Sequence, residues 1–117
     1  MKVEGLDNLF CAGEKAGLLV GHTEAICTGT LAGHNAVRQA LSRPLVTIPR
    51  TTAVGVAFAF VREQMQTEEG MTNKYTFSGA VYLERMRELG TYTTDVELIR
   101  RRVEEAGFTG AFARDGI

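Results

Sequence analysis

The chain has 117 residues, 44% of them hydrophobic and 23% charged, and a formal net charge of −1. That length suits one domain with a modest core, residues 1–117, and is too short for a complete two-domain oxidoreductase. Ordinary composition excludes wholesale disorder, and near-neutral charge excludes a strongly basic nucleic-acid or acidic-membrane binder as the default.

The N-terminal MKVEGLDN lacks the apolar core of a signal peptide, so a cytoplasmic chain is expected. Leu6 to Ala12 contains the run LFCA, which predicts a short buried strand from Leu9 to Ala12, ended by Gly13. Gly17 and Gly21 bracket a loop, and Thr23 is a suitable N-cap for a helix running to about Leu41, before Pro44. Ala25, Gly29, Ala32, Gly33, Ala36 and Ala40 fall on one face of that helix. Each interior glycine costs ~1 kcal/mol against alanine. A backbone, a sheet or a flat cofactor is therefore expected close to this face. Cys11 and Cys27 have neither CxxC spacing nor paired histidines, which predicts reduced thiols and no metal site.

The linker SRPLVTIPR carries both prolines, and Leu45 to Ile48 reads as a brief strand or an extended crossing. Thr51-Thr52 caps a second helix through about Gln64, with Val54, Ala57, Phe58, Val61 and Met65 as its stripe. No segment approaches the ~20 apolar residues of a membrane span, the longest candidate being Ala53 to Val61. The polar stretch QTEEGMTNK predicts a mobile surface loop.

Residues 75–117 read as a helical pair. Ser78 caps a helix over Gly79 to Leu89, with Val81, Leu83 and Met86 apolar and Gly90 terminating it. Thr94-Asp95-Val96-Glu97 forms a capping box for the last helix, which carries the stripe Val96, Ile99, Val103 and Ala106 and closes at Gly107. Arg100 to Arg102 cannot share one face and read as a solvated flank. The fold expected is mainly α, about four helices with one or two short strands, and any strand at Leu9 to Ala12 needs a partner for its backbone groups.

A glutamate directly after a strand, at Gly13-Glu14, can accept hydrogen bonds from sugar or ribityl hydroxyls. The helix start near Gly21 to Glu24 offers free N–H groups and a positive dipole end. Taken alone, this pattern describes a solvent-facing glutamate in a turn at least as well as a site.

Asn8 to Arg38 closely resembles the last FAD-binding segment of the GidA/MnmG and TrmFO flavoproteins, which modify tRNA uridines. Leu9, Phe10, Ala12, Gly13 and Glu14 match its strand and strand end; Gly21, Glu24 and Ala25 match its helix start. Gly29, Leu31, Ala32, Gly33, Asn35 and Ala36 match its helix body, and Thr51 to Gly55 is similar to the Thr-Ala-Leu-Gly stretch that follows in TrmFO-type chains. His22 departs from the family's tyrosine, and the loop KAGLLV is more apolar than the family form.

The resemblance implies FAD as cofactor, with Gly13 and Glu14 toward the ribityl and pyrophosphate region and the N–H groups of Gly21, His22 and Thr23 toward the flavin pyrimidine edge. It implies that residues 8–66 are the end of an FAD-binding α/β domain, present as an incomplete remnant, because no Gly-x-Gly-x-x-Gly turn occurs in the sequence. The expectation is a portion of an FAD-dependent oxidoreductase without catalytic residues of its own, not competent alone. A homo-oligomer or a partner chain would complete the site, and tRNA enters by family resemblance alone. The alternative is a non-catalytic helical module acting by self-association or protein binding.

Overall fold

The computed structural model describes residues 2–13 and 17–113. Among them are five helices: α1 (His22–Ala40), α2 (Ala53–Gln64), α3 (Glu68–Met71), α4 (Ala80–Glu88) and α5 (Val96–Glu105). The mainly helical expectation holds, with one helix more than counted from sequence. The extra one, α3, is a single turn inside the predicted loop, where the Thr67 hydroxyl accepts the Gly70 N–H at 3.0 Å. Four residues carry too little periodicity to announce themselves.

The strand predicted at Leu9 to Ala12 does not form. Phe10 makes only an isolated antiparallel bridge to Lys2, closed by Val3 N–H to the Leu9 carbonyl at 2.8 Å. A second isolated bridge forms at Leu18 to Val20, in the stretch expected to be loop. This segment pairs in parallel with Tyr75, through Tyr75 N–H to Leu18 O at 2.7 Å and Val20 N–H to Tyr75 O at 3.0 Å. Leu18 and Leu19 are each 2% exposed and pack with Val61 and Tyr75, which explains why this loop is so apolar. Burying these two leucines stabilises the fold by about 2 kcal/mol each.

A second core cluster joins Val56 and Ala57 of α2 to Tyr82 and Met86 of α4, with Phe58, Phe60 and Phe77 bordering both clusters. The Tyr82 hydroxyl donates to the Ala53 carbonyl and ties α4 to the start of α2. Close contact also dictates Gly55, since a Cβ there would overlap the Pro49 carbonyl oxygen. Thr52 caps α2 as expected, accepting the Gly55 N–H at 3.1 Å. The capping of α5 differs by one residue: Asp95, not Thr94, is the N-cap and accepts the Leu98 N–H at 3.1 Å.

Leu45 to Ile48 is the extended crossing, not a strand. Its backbone is satisfied by a side chain: Asn35 donates Nδ2–H to the Val46 carbonyl at 2.9 Å and accepts the Val46 N–H at 2.7 Å. The linker is thereby pinned along α1.

Candidate functional site

The sequence pointed to Gly13, Glu14, Gly21, His22 and Thr23. Glu14 lies outside the described residues; Gly21, His22 and Thr23 form the start of α1, while Gly13 meets the helix further along, at Thr28. The helix begins one residue before the predicted cap, with Gly21 as N-cap at φ 122° and ψ 166°, a conformation that is essentially glycine's alone. Gly21 offers no side-chain cap, and the first intrahelical bond is Ala25 N–H to Gly21 O at 2.9 Å. The N–H groups of residues 21–24 therefore precede the helical ladder. His22 and Thr23 are exposed.

Glu24 is the residue whose role the sequence concealed. Its side chain is buried, folded over the helix start so that a Cβ on Gly21 would overlap its carboxylate. It accepts the Phe77 N–H, so a charge-assisted hydrogen bond links the start of α1 to the segment leading into α4. A carboxylate in the first turn also favours the helix dipole. A glutamate three residues after a helix-start glycine is the available signal, since that is the position from which such side chains reach back.

Gly13 is held to the same helix by a residue outside the quoted pattern. Thr28, fully buried, accepts the Gly13 N–H at 2.9 Å while donating to the Glu24 carbonyl at 2.8 Å. This threonine sets the distance between the Gly13 turn and α1. On the far side, Lys74 donates Nζ–H to the Gly17 carbonyl at 3.0 Å, fastening the loop from below.

The small-residue face is buried at Ala32 but open at its two glycines. A Cβ on Gly29 or Gly33 would have nothing within 4 Å, so the crowding expected there is not supplied by the described residues. Ile26 on α1 is 69% exposed, and Val37 and Leu41 are also exposed. Burial, together with the Glu24 charge, pushes the Cys27 thiol pKa up, as expected for an unactivated cysteine. Neither Cys11 nor Cys27 is in a disulfide. Arg100 pairs with Glu97 and Glu104, and Arg102 is spent on backbone carbonyls, so the arginine run does not form a stripe. No helix of the described residues is long and apolar enough to cross a membrane.

Residues 1–44 match the family profile described as "Glucose inhibited division protein A". A Synechocystis sp. protein named methylenetetrahydrofolate–tRNA-(uracil-5-)-methyltransferase TrmFO is 47% identical over 53 residues, covering 45% of this chain and 11% of the relative. Over this front segment the chain is similar to GidA/TrmFO proteins. Proteins of the same name from a Synechococcus sp. and from Prochlorococcus marinus match the chain at 45% over 53 residues and 41% over 56. These matches cover 45% and 48% of this chain, and 11% and 12% of those relatives. The matched stretch spans about a tenth of the length of the curated relatives. No solved structure matches the chain.

Proposed function

We propose that the GidA/TrmFO-like segment supplies the flavin-facing part of an FAD site in a tRNA-modifying flavoprotein of that family. The observation that carries the reading is the uncapped, exposed start of α1 falling inside the family match. In this reading FAD, when bound, supplies the redox chemistry, and this chain positions it.

The residues present fit an electron-rich but uncharged acceptor. The N–H groups of His22 and Thr23 sit ahead of the helical ladder and beside exposed side chains. Glu24 places a carboxylate over the same turn, which disfavours a phosphate there and leaves a neutral carbonyl edge as the better ligand. Gly13, linked to α1 by Thr28, and Glu14 take the ribityl side. The bond from Gly13 to the buried threonine ties this turn to α1. The pyrophosphate-binding turn comes from elsewhere, as part of an α/β domain of which residues 8–66 form the end. No residue of this chain is assigned a catalytic role, and a cytoplasmic setting beside tRNA accompanies the reading.

Completion by another surface, either a chain bearing the phosphate-binding half or a second copy, rests on the exposed Ile26, Val37 and Leu41 and on the open space at Gly29 and Gly33. The same face favours the non-catalytic alternative if flavin binding fails.

The flavin contact is tested in the Synechocystis relative carrying residues 8–41 of this chain in place of its matched segment. His22 is the first residue of α1, where proline is tolerated because its missing N–H has no helical partner. His22→Pro deletes the N–H, whereas His22→Ala deletes only the side chain. The expected result is about tenfold weaker FAD binding for proline than for alanine, the cost of one hydrogen bond. Equal FAD affinity for the two variants would remove the α1 start from the site.

A further inference from the structure

A cavity of about 260 Å³ lies between the start of α2, α4 and α5, outside residues 1–44. Its apolar walls are Val54, Phe77, Tyr82, Met86, Ile99 and Val103. Several of the polar side chains around it are engaged within the protein. Thr52 accepts from Gly55 N–H and donates to the Pro49 carbonyl, and the Tyr82 hydroxyl donates to the Ala53 carbonyl. Thr91 donates to the Met86 carbonyl, and the Thr93 hydroxyl accepts the Asp95 N–H. Arg102, the charged residue of the lining, donates Nη1–H to the Thr91 carbonyl at 3.1 Å and Nη2–H to the Gly90 carbonyl at 3.0 Å.

Those two bonds act as a strut. They fix α5 against the end of α4, while α5 buries none of its side chains completely. Ile99 and Val103 of its apolar stripe line the cavity without filling it, and Ile99 remains 45% exposed at the mouth.

We propose that this cavity is a binding site for a small, uncharged aromatic molecule of one or two fused rings. Size and chemistry agree on that class. An apolar cavity of roughly 150 Å³ already holds benzene, so this one has room for a second ring. With Thr52, Tyr82, Thr91 and Thr93 engaged internally, the wall leaves few groups to replace the hydration of a strongly polar ligand. The aromatic walls at Phe77 and Tyr82 offer ring faces and edges, which favour a flat ligand over an aliphatic chain.

The test is a titration of the full chain with naphthalene, read by the shifts of labelled side-chain methyl groups. Saturable shifts at Val54, Met86, Ile99 and Val103 are expected. Ile99→Trp, which fills the mouth, should weaken binding at least tenfold, while Val81→Trp on the exposed side of α4 leaves it unchanged. Absence of saturable shifts overturns the proposal, as do shifts confined to Ile26 and Val37 of α1 or undiminished binding by Ile99→Trp. Should Ile99→Trp fail to fold, the map of shifts in the unaltered chain decides alone.

Discussion

Asn35 shows how a matched residue can be structural. Its amide meets both the N–H and the carbonyl of Val46, a pairing that needs one donor and one acceptor on the same side chain. Asn35→Asp keeps the shape but turns the donor into an acceptor facing the Val46 carbonyl. The expected loss is about 2 kcal/mol of unfolding free energy, measured by urea denaturation, because a part-buried carbonyl is left unpaired beside a charge. Stability equal to the parent would show that the linker is not held by this contact. The identity of such residues was legible in the sequence, but their jobs were not. Glu24 was visible as part of the pattern, yet its partner, the Phe77 N–H, lies 53 positions away. Thr28 gave no local signal, since a mid-helix threonine bonding back to the preceding turn looks the same whether or not a distant N–H also reaches it.

At the level of elements, helices were easier to read than extended segments. Periodicity and capping are local, so α1, α2, α4 and α5 were anticipated with small shifts at their ends. Extended pairing is not local. Nothing near Leu18 reveals that Tyr75 will be its partner, and the apolar run at Leu9 to Ala12 competed for the same assignment. The join between α2 and α4 gives the element-scale prediction. Burial pushes the Tyr82 pKa up to about 12, whereas the unfolded chain releases that proton near 10. The folded state therefore holds the proton more tightly. Its contribution is complete below about pH 10 and disappears as pH rises toward 12. Thermal midpoints at pH 9 and pH 11 should fall further apart for the parent than for Tyr82→Phe. Identical falls would mean that Tyr82 ionises as freely in the folded chain as in the unfolded one.

The whole molecule is more open than its length requires. Its accessible surface is 7611 Å², against roughly 6,300 Å² for a compact monomer of this mass. Its radius of gyration is 14.6 Å, where about 13.4 Å is typical of the length. The excess surface is consistent with the proposed completion by another chain, and the exposed α1 face is where that completion is assigned. Ile26→Asp should abolish association seen by analytical ultracentrifugation of the parent chain, without lowering its thermal midpoint, because Ile26 makes little of the core. A parent chain that sediments as a monomer at all concentrations, and with the relatives' phosphate-binding half present, would dismiss that surface. The flavin assignment has the more direct test: visible absorbance of the purified Synechocystis relative carrying residues 8–41 of this chain. The account predicts a yellow protein with close to one FAD per chain. A folded chimera that is colourless, beside a yellow parent prepared in the same way, would contradict it.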